Sequence, residues 1–283
     1  MTKLTVILTT FNKKESLEKT LASLENQATW NFEVNIMDDS STDETKRFCE
    51  DYVVASKIPC RYIRFEREGY NLPLMRNIGA EMARGEYLIF VDDDIIVVPS
   101  WIEEYKQHFE ENPEQVYLGR LLYVRSDVLA SISPGDIRNQ RFDKLKLGLL
   151  SPLDPRKDVL KDVDLYLKVW GGNLGIKRRL FNSLNGVDED FDSWGGVDSD
   201  LGFRLMRKGC NIVLLDDCTG YHLGTDFKPL EKIRQQPGVR LFNEVKRFDP
   251  TNRRNTRVKS RASFPISMIY DGSKFATELY KDE

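Results

Sequence analysis

The first 110 residues alternate short apolar runs with amphipathic stretches, and this rhythm restricts the fold more than any other feature of the chain. Residues 4–10 read as a strand, and residues 14–27 set Leu17, Leu21 and Leu24 at helical spacing. Residues 32–37 form a second strand-like run. Ser41-Thr42-Asp43-Glu44 then supplies an S-x-x-E capping box, which predicts a helix from there to about Ala55. Residues 61–65 predict a third strand, residues 73–84 a helix stopped by Gly85, residues 87–91 a fourth strand and residues 99–111 a helix with proline in its first turn. Repetition of this βα unit implies an α/β fold with a mostly parallel sheet flanked by helices on both faces.

Ligands of such sheets bind beyond the carboxyl ends of the strands. Asp38-Asp39 and Asp92-Asp93-Asp94 both fall at predicted strand C-termini. Three adjacent carboxylates after the apolar run Tyr87-Leu88-Ile89-Phe90-Val91 repel one another unless a cation offsets their charge. Mg²⁺ and Mn²⁺ prefer hard oxygen ligands and share sites with phosphate oxygens, so a divalent ion carrying a nucleoside diphosphate meets that need. The competing reading is a solvated acidic turn.

The bulk composition limits the partners. With 31% charged residues and a formal net charge of −3, the chain lacks the overall basic field of a general nucleic-acid binder. Cys49, Cys60, Cys210 and Cys218 form no CxxC pair and read as reduced thiols of a cytoplasmic protein rather than a disulfide framework. The N-terminal run has neither the apolar length nor the cleavage pattern of a signal peptide. No segment reaches the roughly 20 apolar residues of a membrane span, so a soluble catalytic part is expected.

Further along, residues 115–122 read as a strand. Residues 126–163, with Pro134, Pro152 and Pro155, read as a long excursion over the active face. Residues 165–176, a helix over 197–208 and a strand over 211–215 complete a domain near residue 225. Residues 226–261 carry 11 Lys and Arg against 4 Asp and Glu. This basic extension, densest over 246–261, suits a peripheral contact with anionic lipid headgroups, a solvated tail or an oligomer contact.

Four motifs occur in order: Leu8-Thr9-Thr10-Phe11-Asn12, Met37-Asp38-Asp39-Ser40-Ser41-Thr42-Asp43-Glu44-Thr45, Arg76-Asn77-Ile78-Gly79-Ala80 and Gly85-Glu86-Tyr87-Leu88-Ile89-Phe90-Val91-Asp92-Asp93-Asp94. Together they resemble the family 2 glycosyltransferases, inverting enzymes with the GT-A fold, a Rossmann-like nucleotide-diphospho-sugar transferase architecture. Trp170-Gly171-Gly172-Asn173 and Phe191-Asp192-Ser193-Trp194-Gly195-Gly196-Val197-Asp198-Ser199-Asp200-Leu201 resemble the acceptor-side motifs of galactosyl- and N-acetylgalactosaminyl-transferases. The resemblance spans about residues 4–225. It implies a nucleotide-sugar half over 1–115, an acceptor half over 116–225, and leaves residues 226–283 outside.

The resemblance implies roles for particular residues. Thr9 and Phe11 end the first strand on the donor side, where Phe11 either stacks on a pyrimidine or belongs to the core. Asp39 is implied to accept from a uracil N–H; capping of the following helix is the alternative. Arg76 either contacts the nucleotide, braces the acids or makes a surface salt bridge. Asp94 is implied as the metal ligand of the DXD-type motif, with Asp92 and Asp93 holding the ribose or orienting the site. One carboxylate and two phosphate oxygens leave an octahedral ion short of ligands, and related enzymes supply a late histidine. His222 is the candidate, because His108 falls in a predicted helix among charged residues. Imidazole ligation favours Mn²⁺ over Mg²⁺.

Inverting transfer also needs a proton acceptor for the attacking hydroxyl. Asp198 matches the Asp of the family's Glu-Asp pair, whereas Val197 replaces the usual Glu, which affects acceptor recognition more than proton transfer. Asp200, two positions on, points to another helix face. Trp194, Gly195 and Gly196 are implied on the acceptor side, where Trp194 either stacks on a sugar face or packs under the loop. The expected function is metal-dependent transfer of a hexose or N-acetylhexosamine from a UDP-sugar to a hydroxyl of a glycan or glycoconjugate, as in polysaccharide biosynthesis. A non-catalytic sugar-nucleotide-binding scaffold and a sugar-phosphate nucleotidyltransferase are the rivals. The latter lacks its Gly-rich basic loop here.

Overall fold

A computed structural model of the protein describes residues 3–66, 69–158, 168–191, 195–223 and 266–270. Trp194, residues 159–163 of the excursion, residues 164–167 after it and the basic run 246–261 lie outside the described residues. Strand β1 (Leu4–Thr10) is buried over its whole length and pairs in parallel with β2 (Phe32–Asp38) and β4 (Tyr87–Asp92), while β3 (Cys60–Phe65) extends the parallel set beyond β2. On the other side, β7 (Asn173–Lys177) runs antiparallel to β4 and β6 (Val116–Tyr123). β6 pairs in parallel with β8 (Ile212–His222), whose end pairs antiparallel with β5 (Ile95–Val97). A last strand, β9 (Ile266–Tyr270), pairs antiparallel with β3. The sheet order is β5-β8-β6-β7-β4-β1-β2-β3-β9.

The long helices are α1 (Lys14–Glu25), α2 (Thr45–Ala55), α3 (Leu72–Glu81) and α4 (Trp101–Glu111). Four short ones follow in the excursion: α5 (Ser126–Ser131), α6 (Pro134–Arg138), α7 (Asp143–Leu147) and α8 (Pro155–Asp158). Next come α9 (Arg178–Ser183) and α10 (Val197–Arg207). Side chains alternate across β1. Leu4, Val6 and Leu8 join Leu17, Leu21 and Leu24 in one apolar cluster, while Ile7 joins Met37, Ile63 and Ile78 in the other. Burial on both faces explains why the strands read as unbroken apolar runs. Each fully buried Leu or Ile contributes about 1.5–3 kcal/mol.

Local signals and structure diverge at three places. First, the predicted capping box is not formed. α2 starts at Thr45, and the Ser41 hydroxyl accepts from the Asn12 N–H at 2.9 Å while the Ser41 N–H donates to Asp38 at 2.9 Å. Asn12 Oδ1 in turn accepts from the N–H groups of Thr42 and Asp43 at 2.7 and 3.2 Å. Bonds between the loops after β1 and β2 therefore replace a bond within one helix. Second, α3 ends at Glu81, before Gly85. Gly85 instead lies against β1: its N–H donates to Thr5 Oγ1 at 2.9 Å, and a Cβ here would stand 2.7 Å from the Thr5 nitrogen. Third, β8 does not stop at Leu215 but continues to His222. In addition, β9 brings residues 266–270, within the segment 226–283 that the resemblance leaves outside, to the sheet edge.

Among the described residues no helix is long and apolar enough to cross a membrane. Gly85→Ala is expected to lower stability by about 1–3 kcal/mol through overpacking against the β1 backbone. Urea unfolding monitored by circular dichroism checks this, and an unchanged midpoint would contradict it.

Candidate active site

The parallel register sets the ends of three strands side by side: Thr9 lies opposite both Met37 and Asp92. β4 closes on Asp92, and the turn Asp93-Asp94 leads into β5. Both turn carbonyls are held. Thr20 Oγ1 donates to that of Asp93 at 2.9 Å, and the Leu223 N–H donates to that of Asp94 at 2.8 Å. The turn is thus fixed between α1 and the end of β8, and its carboxylates point to different partners.

Asp94 takes the Lys13 ammonium at 2.6 Å on one oxygen and faces His222 Nε2 at 3.6 Å with the other. Asp93, nearly fully buried, stands 3.4 Å from Lys13, and Asp92 stands 3.4 Å from Arg76. The environments separate the three acids. Burial pushes the Asp93 carboxyl up to about 7, against the pull of Lys13. Burial also raises Asp92, with Arg76 opposing. For Asp94, burial works upward, but the charges of His222 and Lys13 outweigh it and hold the carboxyl below its ordinary value.

The Asp94–His222 separation of 3.6 Å is too long for a hydrogen bond. Oxygen and imidazole ligands lie about 2.0–2.2 Å from a small divalent cation, so two ligand atoms at this spacing fit a shared ion. The pair arises because β5 aligns Ile95, next to Asp94, directly across from His222. A second group, His108, Asp217 and Cys218, also gathers potential ligand atoms. Burial raises the Cys218 thiol and opposes the thiolate that ligation requires.

Arg76 is buried, which excludes a surface salt bridge. Its Nη1 donates to Asp198 Oδ1 at 2.5 Å while Nη2 stands 3.4 Å from Asp92 Oδ1. Burial lowers the guanidinium's proton affinity, and the charges of Asp198 and Asp92 more than restore it. The loop before β7 closes over this bridge without side chains. A Cβ on Gly171 would meet the Arg76 guanidinium at 2.5 Å, and one on Gly172 would meet Asp92 Oδ2 at 2.7 Å. Asp198 enters on the first turn of α10 after Gly195 and Gly196, whose φ values of 105° and 87° suit glycine. Asp200 turns away to Arg204 at 2.8 Å. Val197 is buried in the apolar cluster beneath α10.

At the end of β1, Thr9 is buried and Phe11 is 55% exposed, so Phe11 is not a core residue. Asp39 does not cap α2; Asp43 accepts from the Thr45 N–H at 3.0 Å instead. The Asp39 carboxylate accepts from Asn71 Nδ2 at 2.8 Å and from the Asn71 N–H at 3.1 Å. Asn12 and Ser40, in the two loops beside it, hold φ values of 52° and 61°, the kind of strain that collects at functional loops. Sequence reasoning missed Lys13, Tyr70 and Asn71. Lys13 directly follows the first motif. Tyr70 lies in the field of Arg76, Asp198, Asp92 and Asp39, and carries no motif that would reveal it.

Comparison with known proteins bears on the family and the fold. A model of "Glycosyl transferase family 2" matches residues 5–156, and one of the "N-terminal domain of galactosyltransferase" matches residues 161–225. A chondroitin synthase of Pasteurella multocida is 29% identical over 252 residues, which cover 82% of this chain and 26% of that protein. A validoxylamine A glucosyltransferase of Streptomyces hygroscopicus is 29% identical over 233 residues, covering 77% of this chain and 54% of the relative. The chain thus spans about a quarter to a half of the length of these relatives. S. aureus TarS residues 1–349, solved with UDP-GlcNAc, shares the fold at a TM-score of 0.61 and 20% identity, over 81% of this chain and 60% of that one.

The raised Asp93 value gives a pH prediction for the metal-free protein. The folded state binds this proton more tightly than the unfolded chain, whose carboxyl titrates near the ordinary 3.8. The stabilisation is therefore fully present below about pH 4 and is lost as pH rises through about 7. In EDTA, the wild-type Tm relative to that of Asp93→Asn is expected to fall across this window. A constant difference would rule out the shifted carboxyl.

Proposed function

We propose that this chain, which belongs to glycosyl transferase family 2, is a metal-dependent inverting glycosyltransferase that moves a hexose or N-acetylhexosamine from a UDP-sugar to a hydroxyl of a glycan or glycoconjugate. The observation that carries the reading is the Arg76 guanidinium, which joins an acid of the β4 end to the carboxylate at the head of α10. Donor-side and acceptor-side groups thereby meet at one point. The names of the relatives, synthases and glucosyltransferases among them, and the UDP-GlcNAc complex of TarS support a nucleotide-sugar donor and a carbohydrate acceptor.

In this reading Asp39 accepts from the uracil N–H and the exposed Phe11 ring stacks on the base. Thr9, Asp92 and Asp93 line the ribose and diphosphate side, with Arg76 beside them. Asp94 and His222 would hold Mn²⁺, or Mg²⁺ in its place. The bound cation supplies neutralisation of charge on the departing diphosphate. Trp194, Gly195 and Gly196 are assigned to the acceptor by the family resemblance. The acceptor hydroxyl oxygen attacks the anomeric carbon as the bond to the diphosphate oxygen breaks, and that bond's electron pair leaves with UDP. The hydroxyl proton passes to Asp198, whose Oδ1 is held by Arg76. A single displacement inverts the anomeric centre. Val197, buried under the helix, offers no polar group to the acceptor, so acceptor recognition rests on the surrounding loops.

Screening UDP-sugars for Mn²⁺-dependent UDP release tests the class and the donor together. Asp198→Asn is expected to lower transfer by about 10²–10⁴-fold, the usual worth of a general base, while UDP affinity stays within a few-fold. Collapse of UDP binding would make Asp198 structural. Asp94→Ala should abolish metal-dependent UDP binding measured by calorimetry. Tight UDP-sugar binding without turnover of any donor or acceptor would favour the scaffold.

A further inference from the structure

The described residues also enclose a charged pair to which the donor and acceptor roles assign nothing. Asp154 and Arg156, at the entry to α8, are both fully buried. Arg156 Nε donates to Asp154 Oδ1 at 3.0 Å and Nη2 donates to Oδ2 at 2.7 Å, a two-point contact. The same pair reaches into the sheet. Arg156 Nη2 donates to the Gly119 carbonyl at 2.5 Å, and the Leu121 N–H donates to Asp154 Oδ2 at 2.8 Å.

Gly119 and Leu121 flank the one-residue side of a break in the β6–β8 ladder. Gly119 lies opposite Leu215, whereas Leu121 lies opposite Gly220. The ion pair takes up main-chain groups where β8 bulges away. Beyond the break the ladder resumes with Tyr123 opposite His222, while β5 places Ile95 on the other side of His222. Side chains repeat this connection. The Arg156 guanidinium lies 5.3 Å from the Trp170 ring, Trp170 meets Tyr123 edge-on at 6.5 Å, and Tyr123 stacks on His222 at 5.0 Å. Arg156 Nη1 is buried with no hydrogen-bond partner.

We propose that Arg156, fixed by Asp154, is a positioning residue for His222: it plugs the break in the β6–β8 ladder and backs the Trp170–Tyr123–His222 stack, so that the imidazole faces Asp94. The inference rests on the reading of Asp94 and His222 as the cation site. A buried ion pair is weak as a source of stability, since apolar residues of the same volume often serve as well, and its best-attested use is to fix register. Register matters here because a one-residue slip in a strand turns every side chain to the opposite face. Partners behind a ligating histidine orient the ring, and their loss typically weakens metal binding about 10–100-fold.

The chain has two histidines, so ring resonances of ¹⁵N-histidine-labelled protein report on His222 once those of His108 are assigned with His108→Gln. Arg156→Lys keeps the charge but loses the planar two-point contact. It is expected to shift the His222 ring resonances and to weaken Mn²⁺ binding about 10–100-fold, read from the Mn²⁺ concentration that broadens His222. Tyr123→Phe, which keeps the ring, should match the wild type; Tyr123→Leu should behave like Arg156→Lys. Wild-type His222 resonances and Mn²⁺ response in Arg156→Lys would overturn the proposal. Should that variant fail to fold, an unaltered His222 in Tyr123→Leu overturns it equally. If Mn²⁺ leaves wild-type His222 sharp, the cation site itself is refuted, and the metal-free resonances of Arg156→Lys still decide whether Arg156 positions the ring.

Discussion

A buried guanidinium between two carboxylates organises the candidate site. Arg76 reaches Asp92 at the end of β4 and Asp198 at the head of α10, regions separated by more than a hundred residues of chain. A buried charge is tolerated only when it is paired, so these three groups constrain one another's positions. The constraint extends to the loop before β7, where Gly171 and Gly172 leave room for the guanidinium and for Asp92. Larger residues there would separate the halves that the bridge joins.

A second balance operates across the acidic turn. The three neighbouring carboxylates lie in different surroundings: Asp92 faces Arg76, Asp93 is raised chiefly by burial with Lys13 opposing, and Asp94 faces both Lys13 and His222. The residues are chemically identical, yet their surroundings set them to different protonation tendencies. Asp94 is the one held most firmly in its charged form, in keeping with a ligand role. The mixed half of the sheet contributes to this through β8, which carries His222 to the acidic turn on the same strand that pairs with β6 and β5.

Much of the architecture was legible in the sequence because burial on both faces of a parallel strand leaves an uninterrupted apolar run, and the run at Tyr87–Asp92 ends where the acids begin. The pairing of Asp94 with His222 was legible only by resemblance, since no local pattern states that β5 and β8 are neighbours. Ser41 shows the opposite failure. Its S-x-x-E pattern favours a cap on α2, but the hydroxyl is taken by the Asn12 N–H from a loop 29 positions earlier. Gly85 similarly marks a close approach to β1 rather than a helix stop.

By itself the sequence determined the alternation of strands and helices, the position of the acids at strand ends and the family motifs, because these depend on periodicities and spacings within short windows. Only the tertiary structure decided which groups share a charge: Lys13 with Asp93 and Asp94, Arg76 with Asp198, Asp154 with Arg156 against the broken ladder of β6. The reason is physical. Coulombic pairing in a desolvated interior depends on distance in space and on burial, neither of which is a function of separation along the chain.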